Sequence, residues 1–103
     1  MVIGVSGVVE VSGVRFDLVV IRNMLYIYLR RGELTSTQLM EEYAAEFGVR
    51  LSWNTVKRYL DLLEDRGLIE CMGEKPKYCT ATKQGREFVF VLDTALAMLK
   101  MLK

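Results

Sequence analysis

The stretch SWNTVKRYL, residues 52–60, places a hydroxyl, an indole, an amide and two cations within two turns of a predicted helix. The amide of Asn54 can make a bidentate contact with adenine, and Arg58 can reach O6 and N7 of guanine or a phosphate. Trp53, at the first helical position, could pack against a sugar or a thymine methyl group, or could equally be a core anchor. Side chains of these types suit the recognition of nucleic-acid bases.

A helical wheel separates this segment into an apolar and a polar side. With Val56, Leu60 and Leu63 facing inward, the first turns of the outer face are polar and cationic and the last turns are acidic. A helix that enters the major groove with its N-terminal end first has this asymmetry. Charge on the outer face of an amphipathic helix is also ordinary solvation, and Lys57 and Asp61 form an i, i+4 pair. The outward residues are Asn54, Lys57, Arg58, Asp61 and Asp65.

Charge is segregated along the chain, although its net value over 103 residues is only +1. Four acids and no base lie between Glu33 and Phe47, whereas three bases, including Arg50, and no acid lie between Arg50 and Tyr59. In the segment 73–86, four bases including Lys75 and Lys77 outnumber a single acid. An anionic partner would meet the second and third segments and be repelled by the first.

Several other chemistries are disfavoured by composition. There is no histidine, and two cysteines are too few for a four-ligand zinc site, so we predict no enzyme activity, no metal and no cofactor. The N-terminus MVIGVSGVVEVSG lacks a basic region and does not resemble a signal peptide. No apolar run reaches the length of a membrane span. The cytoplasm is therefore the predicted location, with no membrane partner.

The elements that would position residues 52–60 follow from periodicity and caps. Residues 15–31 have apolar side chains on more than half of a helical circumference, and Gly32 follows as a stop. Residues 36–47 and 53–66 are predicted as two further helices, joined by a four-residue turn that ends at the N-cap Ser52. Before them, residues 2–5 and 8–11 are predicted to be extended.

The C-terminal third predicts a hairpin and a long helix. LIECM and KYCTA are strand-like runs around the turn GEKP, and Thr82 can cap the helix that follows. That helix carries more apolar surface than a monomer normally needs, and a second copy of the chain is the predicted cover. Its heptad seam is Phe88, Leu92, Ala95, Leu99 and Leu102.

Cys71 and Cys79 lie symmetrically about Lys75, so a hairpin centred there would place them opposite each other. Antiparallel partners have α carbons about 4.5 to 5.5 Å apart, which is within disulfide range. Because disulfides are unusual in the cytosol, reduced, half-buried thiols are the favoured prediction and a disulfide is the alternative.

The order of these elements resembles the winged helix-turn-helix domain of small prokaryotic and archaeal transcription regulators. The resemblance rests on STQLMEEYAAEFGVRLSWNTVKRYLDLLEDRGLIE and KYCTATKQGREF, and it covers residues 16 to about 90. The apolar C-terminal helix resembles, more weakly, the dimerising helix of MarR- and PadR-type proteins. The resemblance implies an α+β, mostly α fold with a β-hairpin wing and a long C-terminal dimerisation helix.

Positions carried over from the resemblance define domains and a candidate interface. They give an N-terminal extended segment or hairpin at 1–14, a DNA-binding domain at 15–82 with a wing tip at 73–77, and a dimerisation helix at 83–103. The wing is short, with two lysines and no arginine, which favours phosphate contact over minor-groove reading. The implied DNA-binding residues are Arg50, Ser52, Trp53, Asn54, Lys57, Arg58, Lys75 and Lys77.

The leading hypothesis is a homodimeric protein that binds double-stranded DNA and regulates transcription, reading the major groove with helix 53–66. One alternative is a winged-helix module for protein contact, and another is an architectural DNA-binding protein with little sequence preference. Tyr26 and Tyr28 could line an effector pocket between dimer halves, but aromatic residues on so apolar a helix are usually packing, and no effector is predicted.

Overall fold

The computed structural model describes residues 2–3 and 7–101, with side chains from residue 7 onward. Within those residues, four helices combine with two small antiparallel sheets, which confirms the predicted α+β, mostly α class. The elements in chain order are β1 Val2–Ile3, β2 Val8–Val11, β3 Val14–Asp17, α1 Leu18–Arg31, β4 Leu34–Thr35, α2 Ser36–Phe47, α3 Trp53–Asp65, β5 Ile69–Met72, β6 Tyr78–Ala81 and α4 Lys83–Met101.

Helix α1 lies at the centre of the core. Its side chains Met24, Leu25 and Ile27 are fully buried, and it packs against α2, α4 and strand β6. This agrees with the sequence prediction that the helix is buried on several sides. The predicted start of the helix at residue 15 is wrong, because residues 14–17 form strand β3 and the helix begins at Leu18.

The start of α1 has a clear local cause. In β3, Val14 and Phe16 face inward and Arg15 faces outward, which is the two-residue period of a strand, and all pair with β2. The Asp17 carboxylate then accepts a hydrogen bond from Val19 N–H at 2.8 Å and so caps the helix. The sequence prediction extended the helical period of α1 by three residues into this strand.

The N-terminal sheet has the order β1–β2–β3. The predicted strand at 8–11 is confirmed as β2, while the predicted strand at 2–5 is described only at Val2–Ile3, and residues 4–6 lie outside the described residues. Val9 on β2 is fully buried, and an added Cβ at Gly7 would touch Leu96 and Leu99 of α4. This sheet therefore packs on the C-terminal half of α4.

The helix boundaries elsewhere follow their caps. Thr35 and Gln38 form a capping box at the start of α2, and Gly48 ends that helix with a left-handed φ of 69°. Helix α3 ends at Asp65, one residue earlier than predicted, with Arg66 as its C-cap. The Thr82 hydroxyl accepts a hydrogen bond from Gly85 N–H at 3.1 Å and caps α4, as the sequence predicts.

The second sheet has the order β4–β6–β5, and its β5–β6 hairpin forms the wing. Strand β6 is central, since it pairs with β4 through Leu34 and Thr35 and with β5 through all four of its residues. Strand β5 is an edge strand, and residues 73–77 connect the two at the tip. A short link after Asp65 leads from α3 into the wing, so the helix and the hairpin are held close together.

Candidate nucleic-acid interface

Helices α2 and α3 are joined by the turn 48–52, and the start of α3 is fixed by Ser52. Its hydroxyl oxygen accepts a hydrogen bond from Thr55 N–H at 3.2 Å, and its hydroxyl also lies 2.8 Å from that of Thr55. Satisfying an otherwise unpaired N–H at the first turn stabilises the helix by about 1 kcal/mol. The Ser52 side chain thus serves as an N-cap, while Arg50 in the turn is exposed.

One face of α3 anchors the helix in the core. Val56 and Leu63 are fully buried, and Tyr59 and Leu60 are buried to more than nine-tenths. The opposite face is exposed, and it divides by charge as the sequence predicts. Asn54, Lys57 and Arg58 occupy its N-terminal half, while its C-terminal half ends in three acids. The acids are Asp61, Glu64 and Asp65.

Trp53 is exposed rather than buried. Half of its surface (51%) is accessible, so the core-anchor alternative is wrong for this residue. It lies at the edge of a groove of about 340 Å³ between α3, the start of α2 and the wing. The groove has an apolar floor that includes Leu60 and the two cysteines, and Lys57 and Lys77 also line it. Arg50 and Lys75 are exposed but do not line this groove.

The opposite flank of α3 is covered by the N-terminal hairpin. Phe16 packs edge-to-face on Tyr59 with 5.1 Å between ring centroids, and the Asp17 N–H donates a 2.7 Å hydrogen bond to the Tyr59 hydroxyl. Burial raises the pKa of Tyr59, which keeps its hydroxyl neutral. Val11 and Val14 lie beside Arg58 and Leu62 along a second groove. Sequence analysis missed this contact, because a two-stranded partner for α3 leaves no signal in the helix itself.

The wing is cross-linked. Cys71 and Cys79 are directly opposite each other in the β5–β6 ladder, as the sequence predicts, with α carbons 4.0 Å apart and a disulfide between them. The favoured prediction of reduced thiols is therefore wrong for this structure. The ladder register places the two side chains side by side on the same face of the hairpin.

The two wing lysines have different surroundings. Lys77 Nζ lies 3.1 Å from Glu64 Oε1, so the residue predicted to contact phosphate forms an ion pair with the C-terminal half of α3. Lys75 at the tip is exposed. Across residues 7–101, four cations besides Lys77 form ion pairs, but Arg50, Lys57, Arg58 and Lys75 form none. Four of the predicted contact residues therefore have no acidic oxygen of the described chain within 4 Å of their charged nitrogens.

The predicted dimer seam does not coincide with the exposed face of α4. Leu92 is 2% exposed and packs within its own chain, and Phe88, Ala95 and Leu99 are partly buried; Leu102 lies outside the described residues. The outward face carries Phe90, Val91, Met98 and Met101, of which 59% to 83% is exposed. Leu92 is thus a core residue, and the apolar surface left open is the opposite side of the helix.

Gly85 is a structural residue that sequence analysis missed. It is buried on the inner face of α4, where an added Cβ would collide with the Leu68 carbonyl oxygen and touch Leu25. The signal in the sequence is a glycine inside an otherwise strong helix. A glycine there lowers helix stability by about 1 kcal/mol relative to alanine, which indicates that close packing requires it. The close approach turns the Val89 and Leu92 side of α4 inward.

A capped helix-turn-helix followed by a two-stranded wing on the same core defines a winged-helix fold. A family model described as winged helix-turn-helix matches residues 15–100, so the chain belongs to that family. None of the helices in residues 7–101 is both long and apolar enough to cross a membrane.

Solved structures share this fold. F93 from STIV, described as a winged-helix DNA-binding protein, is 17% identical, with a TM-score of 0.70 over 79% of this chain and 90% of that one. SSV1 F-93 is 25% identical, with a TM-score of 0.54 over 81% and 92%. TA0346 from Thermoplasma acidophilum, described as a candidate transcriptional regulator, is 18% identical, with a TM-score of 0.63 over 78% and 84%. No curated protein matches the chain.

Proposed function

We propose that this protein binds double-stranded DNA as a homodimer, places α3 in the major groove and regulates transcription. The observation that carries the proposal is the N-terminal half of the outer face of α3, where Asn54, Lys57 and Arg58 are exposed and neither cation is paired with an acid of the described chain. Unpaired cations beside an amide suit a partner that offers both phosphates and base edges.

Each side chain has a distinct proposed role. Asn54 and Arg58 read base edges, with Asn54 suited to adenine and Arg58 to guanine or a neighbouring phosphate. Trp53 packs on a sugar or a thymine methyl group from its position at the edge of the groove. Lys57, Arg50 and Lys75 neutralise phosphates, while Ser52 supports the site mainly as the N-cap of α3.

The acidic end of α3 sets the direction of approach. Asp61, Glu64 and Asp65 would repel phosphates if the helix lay flat along a groove. The same charges are tolerated if the N-terminal turns enter first and the C-terminal turns stay clear of the duplex. Glu64 is in addition offset by Lys77, with which it forms an ion pair.

Two proteins that share this fold support a DNA partner. The STIV protein is described as DNA-binding, and the Thermoplasma acidophilum protein as a candidate transcriptional regulator. Family membership is consistent with both descriptions. The finer resemblance to MarR- and PadR-type proteins stays a prediction.

The proposed dimer uses the exposed face of α4. Val91, Thr94, Met98 and Met101 follow each other at spacings of three, four and three residues, which is a heptad seam, and Phe90 lies beside it. Covering these side chains removes apolar surface from water, and an antiparallel or parallel copy of the same helix offers a matching stripe. Two α3 helices would then read a pseudo-palindrome with half-sites about one helical turn apart.

The decisive experiment is selection of the tightest sequences from a random duplex pool, with affinity measured over a series of salt concentrations. Enrichment of an inverted repeat, with affinity falling steeply as salt rises, is the expected result. Tight binding without enrichment would replace regulation by an architectural role. Absence of binding even at low salt would overturn the proposal in favour of a protein-contact module.

A further inference from the structure

The disulfide in the wing joins strands that are held with unequal strength. Cys79 lies on the central strand β6, where Leu34 pairs with it on one side and Cys71 on the other. Cys71 lies on the edge strand β5, which within the described residues has β6 as its one strand partner. The covalent bond therefore fastens the less secured strand to the better secured one.

The two sulfurs also differ in access. Cys79 is 4% exposed, whereas Cys71 is partly exposed. Both residues line the open groove between the wing and α3. A thiol in solution can therefore approach Cys71 through the groove.

The bond controls the segment that carries the wing cations. Residues 72–78 lie between the two cysteines, and Lys75 is exposed in the 73–77 connection at the tip. An ion pair between Lys77 and Glu64 joins this segment to α3, and both of its side chains are more than 40% exposed. Exposed ion pairs stabilise weakly, so the disulfide, which holds β5 on β6, is the stronger restraint on the wing strands.

We propose that Cys71–Cys79 is a thiol-exchange site for a dithiol reductant, and that its redox state sets how tightly the wing holds DNA. This inference rests on the proposed DNA-binding function. The oxidised wing holds Lys75 where it contacts a phosphate, whereas the reduced wing no longer holds it there, so that contact is lost and affinity falls.

The exchange balances in two steps. A thiolate of the dithiol attacks Sγ of Cys71, the Sγ–Sγ bond breaks, and Cys79 leaves as a thiolate that takes up a proton. The second thiol of the reductant then attacks the reductant sulfur of the mixed disulfide, and Cys71 is released as a thiol. The reductant becomes a cyclic disulfide, and its two electrons reside in the two protein thiols.

The test compares oxidised protein with protein reduced by dithiothreitol on one selected duplex over a salt series. Reduction is expected to weaken binding about threefold to tenfold and to make the fall of log affinity with log salt less steep by about two, the signature of one lost phosphate contact in each protomer of the dimer. The double variant Cys71→Ser, Cys79→Ser should bind DNA with the affinity of the reduced protein, and dithiothreitol should not change that affinity. Equal affinity of the two forms would overturn the inference and leave DNA binding intact.

Two further variants show whether Lys75 transmits the effect. In Lys75→Ala, reduction should no longer change affinity, whereas in Lys100→Ala, which removes the same charge from the end of α4, the response should persist. A Lys75→Ala protein that still responds to dithiothreitol as the wild type does would contradict the coupling.

A second measurement separates this inference from the proposed function. Amide hydrogen exchange at residues 70–78 should be faster in the reduced protein, with exchange in α1 unchanged as evidence of an intact fold. If neither form bound DNA, the proposed function would fail while this measurement still reported on the wing. Unchanged exchange at residues 70–78 would overturn the claim that the disulfide restrains them.

Discussion

At the scale of single residues, the candidate interface depends on where a charge sits rather than on how many charges there are. Arg58 and Arg66 are both exposed arginines of the same helical segment, yet Arg58 belongs to the N-terminal cationic half and Arg66 follows the acidic end. Arg66 Nε also lies 3.9 Å from Asp65 Oδ2, whereas Arg58 has no ion pair in the described chain. The two therefore form a matched pair for testing position.

The Arg58→Ala variant is expected to bind about 5-fold to 150-fold more weakly for each half-site, equivalent to about 1 to 3 kcal/mol for each lost contact, and to lose discrimination at one base pair in each half-site. The Arg66→Ala variant removes the same charge and should bind as the wild type does. Fluorescence anisotropy titration on matched and mismatched duplexes measures both effects. Equal losses in the two variants would show that Arg58 acts only through net charge.

Two buried tyrosine hydroxyls predict opposite effects on stability. The Tyr59 hydroxyl accepts the Asp17 N–H, so Tyr59→Phe leaves that N–H without its partner and should lower the free energy of unfolding by about 1 to 2 kcal/mol. The Tyr28 hydroxyl is buried without a hydrogen-bond partner, so Tyr28→Phe should be neutral or slightly stabilising. Urea unfolding followed by circular dichroism measures both, and a larger loss in Tyr28→Phe would contradict this assignment.

Burial of tyrosines also predicts a loss of stability at high pH. Burial raises the pKa of Tyr28, Tyr43 and Tyr59 above the ordinary value of 10 in the folded state. The unfolded chain therefore releases protons first, so the stabilisation is complete below pH 10 and is lost as pH rises above it. Unfolding free energies measured between pH 9 and 11 should fall, and the fall should be shallower in Tyr28→Phe. An identical slope in that variant would exclude Tyr28 as a contributor.

At the scale of elements, caps and periodicity in the sequence predicted α2, α3 and the wing almost to the residue. Both helices begin at a capping hydroxyl and the wing strands flank the turn GEKP, and local signals of this kind do not depend on the rest of the fold. The start of α1 was mispredicted because Phe16 fits a helical stripe and a strand equally well. Pairing with β2, a tertiary contact, decides between them.

The inward face of α4 could not be predicted for a related reason. Apolar residues cover most of its circumference, so several dimer seams fit the sequence pattern. The predicted seam runs through Leu92, which lies in the core of its own chain. The contact of Gly85 with the Leu68 carbonyl fixes the rotation of the helix, and it involves backbone that no side-chain pattern reveals. One glycine thus determines which surface remains for a partner.

The Gly85→Ala variant tests this contact. The added methyl group would meet backbone rather than a flexible side chain, so we expect a loss of about 1 to 3 kcal/mol in unfolding free energy in spite of the better helix propensity of alanine. Gln84→Ala, at the exposed neighbouring position, should change stability little. Thermal unfolding of the two variants compares them, and a Gly85→Ala protein as stable as the wild type would mean that α4 can move away from Leu68 at little cost.

At the scale of the whole molecule, the N-terminal sheet links the two surfaces that the proposed function requires. Its hairpin packs on α3 through Phe16 and Tyr59, and Gly7 packs on α4 beside Leu96 and Leu99. The spacing of two α3 helices in a dimer would therefore depend on this sheet as well as on α4. The sequence predicts the strand at 8–11 but not β3, and it does not predict the contacts of this sheet, because they join segments more than 40 residues apart.

The proposed dimer is tested by a charge placed on the exposed face of α4. Met98→Lys puts an ammonium group within an apolar stripe, and burying it against a second copy would cost several kcal/mol, so the variant should have the 11.8 kDa mass of one chain where the wild type has twice that. Met72→Lys makes the same change at a methionine of the wing that is 72% exposed, and this variant should remain dimeric. Sedimentation equilibrium measures both masses, with circular dichroism as the check on folding.

The monomeric variant should also lose the preference for an inverted repeat while a single half-site still binds, because α3 is unchanged and only the spacing between two copies has been removed. A Met98→Lys protein with the wild-type mass would assign dimerisation to another surface or exclude it.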